Sequence, residues 1–331
     1  MHIAPQPPHI RRRRLLMAGL AGATGVFAMQ GVRAQAAYPT RPVRLIVPFG
    51  PGGFADITTR IVGERLSERL GQQVVIENRP GAGGIVAANA VLGSANDGHS
   101  MILFSNGTTI ATTLLKLPYD PEADFLPVSS LAYFDLLLLT SANSRFGNLG
   151  AVLAEGRRRP VTFGSINPGS TQHLSAELFK SVSGVQATVI PFKTSGEVQL
   201  ALQRGDVDVG FESYAALKGA IDGGLLRAVA CTGSSRTAWL PHVPTVKEEG
   251  VAGYDVTGWN AFYMPKGTPQ LAISTLNAAI QAAIAEPELR KRFLAMGADP
   301  RGSTPAEMAA VFARDKRKWA KVISDAKISV S

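Results

Sequence analysis

Cysteine is almost absent from this sequence. Cys231 is the only one among 331 residues, so no disulfide can form within the chain. The apolar run around it predicts a buried thiol that packs as a small hydrophobic side chain. A nucleophilic thiol would need a neighbouring base, and the sequence signals none. A disulfide-stapled scaffold is therefore excluded, and thiol catalysis is disfavoured.

Histidine is scarce, and the common catalytic signatures are missing. Beyond residue 36 the chain has three histidines, none with a metal-ligand partner at helical spacing. The sequence contains no P-loop and no G-x-S-x-G nucleophile motif. The run Gly81-Ala82-Gly83-Gly84 does not complete a dinucleotide-binding fingerprint. We therefore predict a protein that is not an enzyme and that holds no metal and no cofactor.

Long hydrophobic runs are missing beyond residue 40, and the first 36 residues resemble a leader. Arg11 to Arg14 precede the uncharged, apolar or small run Leu15 to Met29, and small residues alternate in Val32 to Ala36. This is the pattern of a secretory signal peptide. A membrane anchor is the alternative, but about 15 apolar residues fall short of the roughly 20 that span a bilayer. We predict cleavage after Ala34 or Ala36, by the Sec or twin-arginine route, and a periplasmic protein without membrane insertion.

Dense charge of one sign is also missing from the rest of the chain. The formal net charge is +9, and residues 1–36 contribute five arginines and no acid, which leaves 9 − 5 = +4. No run of Lys and Arg with interleaved aromatic residues occurs. Nucleic acid is therefore not a predicted partner.

Apolar strand-like runs alternate with helical patterns in two consecutive units. Strands are predicted at 43–48, 73–77, 101–104, 161–164, 188–192, 207–211, 226–230 and 254–264. Helices are predicted at 55–70, from residue 85, and at 171–182, 195–204, 213–221, 269–285, 287–296 and 305–325. This alternation indicates an α/β fold with parallel sheets covered on both faces. Because the last three helices follow the second unit, we expect them to pack back onto the first. The predicted domains are 37–141 plus 260–331, and 142–259.

Four strand-to-helix junctions are rich in glycine, hydroxyl and amide side chains. They lie at 49–56, 105–109, 165–173 and 191–196. In open α/β sheets ligands bind beyond the carboxyl ends of the strands, where helix starts offer unpaired N–H groups. A single loop of this kind is more simply read as a capped turn. Four together predict a cleft that holds a small anion such as a carboxylate.

Many short motifs, spaced along the chain from Tyr38 onward, match one family. The matching segments are Tyr38 to Gly53 (YPTRPVRLIVPFGPGG), Val75 to Gly84 (VIENRPGAGG), Lys116 to Pro121 (KLPYDP), Gly164-Ser165, Pro168 to Ser170, Gly205 to Asp208 (GDVD), Leu240 to Thr245 (LPHVPT) and Gly267 to Pro269. In these segments the chain resembles the Bug family, the TctC-like receptors of tripartite tricarboxylate transporters. The resemblance implies a type II periplasmic-binding-protein fold, with two α/β domains and a ligand cleft between them.

The resemblance also implies a monomeric receptor that captures a small carboxylate, such as a dicarboxylate, an amino acid or an aromatic acid, and delivers it to an inner-membrane permease. Two alternatives stay open, a ligand sensor for a membrane signalling kinase and a hydrolase on the same scaffold. The residues predicted to bind the ligand are Phe49, Gly52, Gly53, Phe54, Asp56, Ser105, Asn106, Ser165, Gly169, Ser170, Thr171, His173, Lys193, Thr194, Ser195 and Glu212.

The sequence departs from the family pattern close to the expected pocket. Phe192 replaces the usual Tyr, Thr194-Ser195-Gly196 replaces a double glycine, Glu212 stands where Asp is common, and Phe54 is bulkier than usual. The identity of the acid therefore does not transfer from the family. Phe54 is compatible with an apolar or ring-bearing acid, and equally with a place in the core.

Overall fold

The structure is a computed structural model that describes residues 1–4 and 38–325. The predicted leader, from Arg11 to its cleavage site, lies outside these residues. Within the described part of the chain, no helix is long and apolar enough to cross a membrane.

Ten strands form one curled sheet in the order β2-β1-β3-β9-β4-β7-β5-β6, with β8 and β10 also paired to β4. The strands are β1 (Val43–Val47), β2 (Val74–Asn78), β3 (Ser100–Ser105), β4 (Phe125–Ser141), β5 (Val161–Ile166), β6 (Ala187–Phe192), β7 (Val209–Ser213), β8 (Leu226–Cys231), β9 (Thr257–Pro265) and β10 (Ala298–Pro300). The pairs β1–β2, β1–β3, β5–β6 and β5–β7 are parallel. All pairs that involve β4 or β9 are antiparallel. The sheet is therefore mixed, which corrects the expectation of parallel sheets alone.

The long strand β4 divides the sheet into two lobes. It pairs with β9 from Phe125 to Asp135 and with β7 from Leu136 onward. We call the part with β1, β2, β3 and β9 the first lobe, and the part with β5, β6, β7 and β8 the second lobe. The chain returns to the first lobe where β9 begins at Thr257. The predicted domain boundaries remain a prediction.

Ten α-helices cover the sheet in the described residues. They are α1 (Phe54–Leu70), α2 (Ile85–Leu92), α3 (Asn106–Leu114), α4 (Leu149–Gly156), α5 (Thr171–Ser183), α6 (Ser195–Arg204), α7 (Tyr214–Asp222), α8 (Gln270–Ile284), α9 (Pro287–Leu294) and α10 (Pro305–Asp325). Local signals set their ends. Gly71 follows α1 with φ +64°, and Ser170 caps α5 by accepting a hydrogen bond from His173 N.

The last helix, α10, packs on both lobes. Met308 and Phe312 join the apolar cluster that contains Phe104 and Trp259 of the first lobe. Trp319 and Ile323 join the cluster that contains Phe163 of the second lobe. Return of the C-terminal helices to the first lobe was predicted, but the contact of α10 with the second lobe was not.

Candidate functional site

The pocket that we call the main pocket lies between the lobes, where four strands end and the helices that follow them begin. Residues of the first lobe that line it are Phe49, Gly50, Gly53, Phe54, Ala55, Ser105, Phe134 and Asn260. Residues of the second lobe are Ile166, Thr171, Gln172, Lys193, Thr194 and Ser195. Each of the four predicted loops contributes at least one of them.

Helix starts contribute polar groups to this pocket. Gly53 precedes α1 and makes no side-chain cap, so the first N–H groups of α1 keep no partner from a capping side chain. Thr171 and Gln172 open α5, and Ser195 opens α6. The positive ends of these helix dipoles and their N–H groups favour an anion.

A buried amide donor without a partner also belongs to the pocket wall. Asn260 on β9 is 1% exposed, and its Nδ2 has no hydrogen-bond partner among the described residues. Leaving a buried donor unpaired costs about 1–3 kcal/mol. Because Asn260 lines the pocket, a ligand oxygen is the natural acceptor for this N–H group.

The rest of the pocket wall is apolar at one side and carries a single charge. The rings of Phe54 and Phe134 pack with centroids 3.9 Å apart, and both residues are buried. Phe54 thus lies in the core of the first lobe and lines the pocket as well. Among the described residues that line the pocket, Lys193 is the only charged one. Such a site suits an acid with an apolar part.

A side pocket adjoins the main pocket and shares Phe49 and Ser105 with it. Its wall includes the glycine-rich turn at Gly81, Gly83 and Gly84, and the turn from Asn167 to Ser170. The predicted residues Gly169 and Ser170 therefore line the side pocket and not the main one. The side chain of Ser170 is also occupied by capping α5.

Several predicted residues line neither pocket but support the wall. Asp56 is buried and accepts hydrogen bonds from Gly52 N (3.0 Å), Arg60 Nε (3.0 Å) and Asn78 Nδ2 (2.9 Å). Burial raises the pKa of Asp56, but the bonds from Arg60, Gly52 and Asn78 outweigh it and hold the pKa below its ordinary value. Asp56 thereby fixes the glycine-rich loop, and Gly52 in that loop has φ +78°.

His173 and Ser165 also lie behind the pocket wall. The Nδ1 atom of His173 accepts a weak bond from Gly169 N at 3.4 Å, and burial lowers the pKa of His173. Burial thus favours the neutral form of His173, whose ring supports the start of α5. Ser165 at the end of β5 is fully buried, and its Oγ has no hydrogen-bond partner among the described residues.

The two lobes touch each other beside the main pocket. Thr171 donates a hydrogen bond to the side chain of Asn106 on the opposite lobe. A β-carbon on Gly107 would lie 2.7 Å from Gly169 O, and one on Gly50 would lie 3.0 Å from Thr194 Cγ2. Glycine is therefore needed at Gly50 and Gly107, where the two lobes touch. The cleft between the lobes is closed in this structure.

A buried carboxyl group lies behind the pocket wall of the second lobe. Glu212 on β7 accepts hydrogen bonds from Gln172 Nε2 (2.9 Å) and Ser195 Oγ (2.7 Å), both from residues that line the pocket. Glu212 itself is fully buried and does not line the pocket. Among residues 1–4 and 38–325, no cluster of three or more His, Cys, Asp or Glu is placed to hold a metal ion.

Sequence reasoning missed some lining residues. Gly50, Ala55, Ile166 and Gln172 lie inside the predicted loops but were not singled out. Asn260 had a usable signal, because it is a polar residue within an otherwise apolar strand. Phe134 had none, since nothing local distinguishes it from the other apolar residues of β4.

Comparison with known proteins agrees with this architecture. A family profile described as tripartite tricarboxylate transporter family receptor (TctC) matches residues 58–328. BugT of Bordetella pertussis is 35% identical over 318 residues, which cover 93% of this chain and 98% of BugT.

Two solved structures from Rhodopseudomonas palustris are similar throughout. One, solved with adipate, is 34% identical with a TM-score of 0.84 over 88% of this chain and 99% of its own. The other, MatC with bound malate, is 31% identical with a TM-score of 0.81 over 86% of this chain and 100% of its own. The predicted two-domain type II periplasmic-binding-protein fold is confirmed. The chain belongs to the TctC family of tripartite tricarboxylate transporter receptors, as its Bug-like motifs predicted.

Proposed function

We propose that this protein is an exported receptor that binds a small carboxylate in the main pocket, for uptake by a tripartite tricarboxylate-type permease. The observation that carries the proposal is that three helix starts converge on one pocket with the Asn260 amide, which has no hydrogen-bond partner among the described residues. Adipate and malate are bound by two relatives of the same fold. A dicarboxylate is therefore the first class of ligand to test.

The distribution of charge favours binding through dipoles and hydrogen bonds. In the part of the chain that the structure describes, Lys193 is the single cation of the pocket lining, and no arginine belongs to it. A carboxylate head would meet the N–H groups at the starts of α1 and α5, the Asn260 amide and hydroxyl groups. The apolar rings of Phe54 and Phe134 would pack along the hydrocarbon part of the acid.

Binding rather than hydrolysis is supported by the surroundings of the pocket hydroxyl groups. Among the described residues, the lining of the main pocket includes no histidine. Ser195 Oγ is hydrogen-bonded to Glu212, and Thr194 Oγ1 accepts a bond from Glu197 N. Ser195 and Thr194 therefore do not form the serine–histidine arrangement by which a hydrolase activates its nucleophile.

The cleft would work by closing around the ligand. An acid that touches α1 on one lobe and α5 or α6 on the other stabilises the closed form, because it makes all its contacts only there. We propose that the permease reads this closed form. Export by cleavage of the leader, action as a monomer, and the boundaries 37–141 plus 260–331 and 142–259 belong to the same proposal.

The test is a thermal-shift screen of the chain from residue 37, purified free of ligand, followed by isothermal titration of the hits. The panel holds adipate, malate, tricarboxylates, acidic amino acids, benzoate and nicotinate. One class should raise the melting temperature progressively with concentration. A folded, ligand-free protein that responds to none of these acids would refute carboxylate binding.

A further inference from the structure

Glu212 carries a carboxyl group that is fully buried behind the main pocket. Its Oε1 accepts hydrogen bonds from Gln172 Nε2 (2.9 Å) and Ser213 N (2.6 Å), and its Oε2 accepts one from Ser195 Oγ (2.7 Å). Within the described residues, no Lys, Arg or His nitrogen forms an ion pair with it. Burial of an unpaired carboxylate disfavours its charged form.

The protonation of Glu212 decides what Ser195 offers to a ligand. A serine hydroxyl has one hydrogen. When Glu212 is ionised, that hydrogen points at Oε2, and Ser195 presents only lone pairs to the pocket. When Oε2 carries a proton, it donates to Ser195 Oγ, and the serine hydrogen becomes free to bond a ligand oxygen. Oε1 already accepts two N–H groups, so the proton belongs on Oε2.

A bound carboxylate would favour the second arrangement for two reasons. Its oxygens need donors, and lone pairs on Ser195 would repel them. Its negative charge would also lie one hydroxyl group away from Glu212, and two neighbouring carboxylates resist joint ionisation. We therefore expect that binding of the ligand anion in the main pocket is accompanied by binding of a proton to Glu212.

We propose that binding of a carboxylate anion in the main pocket is coupled to the uptake of one proton by Glu212, which turns Ser195 from an acceptor into a donor. The inference rests on the proposed function. Glu212 is thus a positioning residue, since it acts on the ligand through Ser195. The proton comes from solvent and leaves again when the ligand dissociates.

The surroundings of Glu212 agree with this assignment. Burial raises its pKa, and the bonds from Gln172, Ser213 and Ser195 offset only part of the effect. Titratable groups on the packed elements have partners of their own or lie at the surface. They are Tyr133 and Asp135 on β4, His173, Glu177 and Lys180 on α5, Lys193 before α6, Glu197 and Arg204 on α6, and Tyr214, Lys218 and Asp222 on α7. None of them forms a hydrogen bond or an ion pair with Glu212, and β5 carries no titratable side chain.

Isothermal titration with adipate and malate tests the proposal between about pH 7 and pH 9, where both acids are almost entirely in the dianionic form. Repeating each titration in buffers with different ionisation enthalpies measures the protons taken up. Because Glu212 gains its proton on binding, the Kd should rise with pH, by up to tenfold per pH unit, above the pKa of Glu212 in the free protein. Uptake should approach one proton in the same range.

Glu212→Gln supplies the decisive variant. Its amide N–H would donate to Ser195 at every pH, so the Kd should stay near the low-pH value of the wild type, and proton uptake should vanish. Ser195→Ala is the second variant; it leaves Glu212 in place but removes the hydroxyl that responds to it, so the pH slope should fall. Glu64→Gln, an exposed change on α1, should keep the wild-type slope.

The outcomes separate this inference from the proposed function. A wild type that binds either acid with a Kd independent of pH and without proton uptake would overturn the coupling and leave the receptor function intact. The same would hold if Glu212→Gln kept the wild-type slope, because the proton would then bind elsewhere. Failure of both acids and of the wider panel to bind would overturn the receptor function itself.

Discussion

Replacement of Gly107 by Ala should separate ligand binding from folding. Gly107 lies at the start of α3 in the first lobe, and its added β-carbon would meet Gly169 O at 2.7 Å and Thr171 N at 3.0 Å in the second lobe. Ordinary van der Waals contacts begin near 3.4 Å. The two lobes would therefore have to move apart by 3.4 − 2.7 = 0.7 Å at the contact with Gly169 O. The contacts with Gly169 and Thr171 exist only when the cleft is closed, whereas a contact of 3.1 Å with Ser105 Oγ lies within the first lobe and is also present when the cleft is open.

The expected loss of affinity in Gly107→Ala follows from the free-energy cost of overpacking a well-packed contact, which is about 1–3 kcal/mol. If this cost falls on the closed form alone, the Kd for a cleft ligand should rise about 5- to 150-fold, since about 1.4 kcal/mol corresponds to a factor of ten. The ligand-free protein can open, so its free energy of unfolding should change by less than about 1 kcal/mol.

Isothermal titration gives the Kd, and urea unfolding of the ligand-free protein gives the free energy of unfolding. Gly219→Ala on α7 is the matched control, because its β-carbon would meet nothing within 4 Å. That variant should bind like the wild type and be slightly more stable, as alanine favours a helix. An unchanged Kd in Gly107→Ala, or a loss of stability as large as the loss of affinity, would refute the reasoning.

Two further changes test the pocket wall. Asn260→Leu removes an amide donor that has no partner among the described residues, so stability without ligand should hold while affinity for the carboxylate falls about 10- to 100-fold in titration. Asp56→Asn should lower the free energy of unfolding at neutral pH by about 1–3 kcal/mol in urea melts. Because the pKa of Asp56 is lowered by folding, wild-type stability from this group is present above its unfolded pKa and lost as pH falls through the folded pKa, whereas the variant should lack that acid-dependent loss.

The sequence predicted the alternating elements well because their signals are local. Apolar runs mark β1 and β5, and glycine or hydroxyl residues mark the starts of α1, α5 and α6. The strand β4 was missed, since Pro127 and serines interrupt its pattern and its partners are distant in sequence. Strand direction was wrong for the same reason, because antiparallel pairing with β9 depends on contacts more than a hundred residues apart.

For the candidate site too, residues with a local sequence signal could be predicted, and residues placed by distant contacts could not. Loop residues such as Thr171 and Ser195 were found because a helix start imposes a local composition. Glu212 was chosen for its departure from a family pattern, and the structure places it behind the wall, where it contacts two lining residues. Whether any of these side chains touches a ligand stays a prediction.

The two lobes approach each other closely at Gly50, which makes an engineered disulfide between them possible. A β-carbon on Gly50 would lie 3.9 Å from Thr194 Cβ, within the range that a disulfide requires. The native Cys231 is buried, and burial raises its pKa to about 11, so it would not compete for oxidation. Oxidised Gly50→Cys with Thr194→Cys should keep a captured acid bound through extensive dialysis, and a reducing agent should release it. How long the acid stays would then be set by redox potential and no longer by affinity.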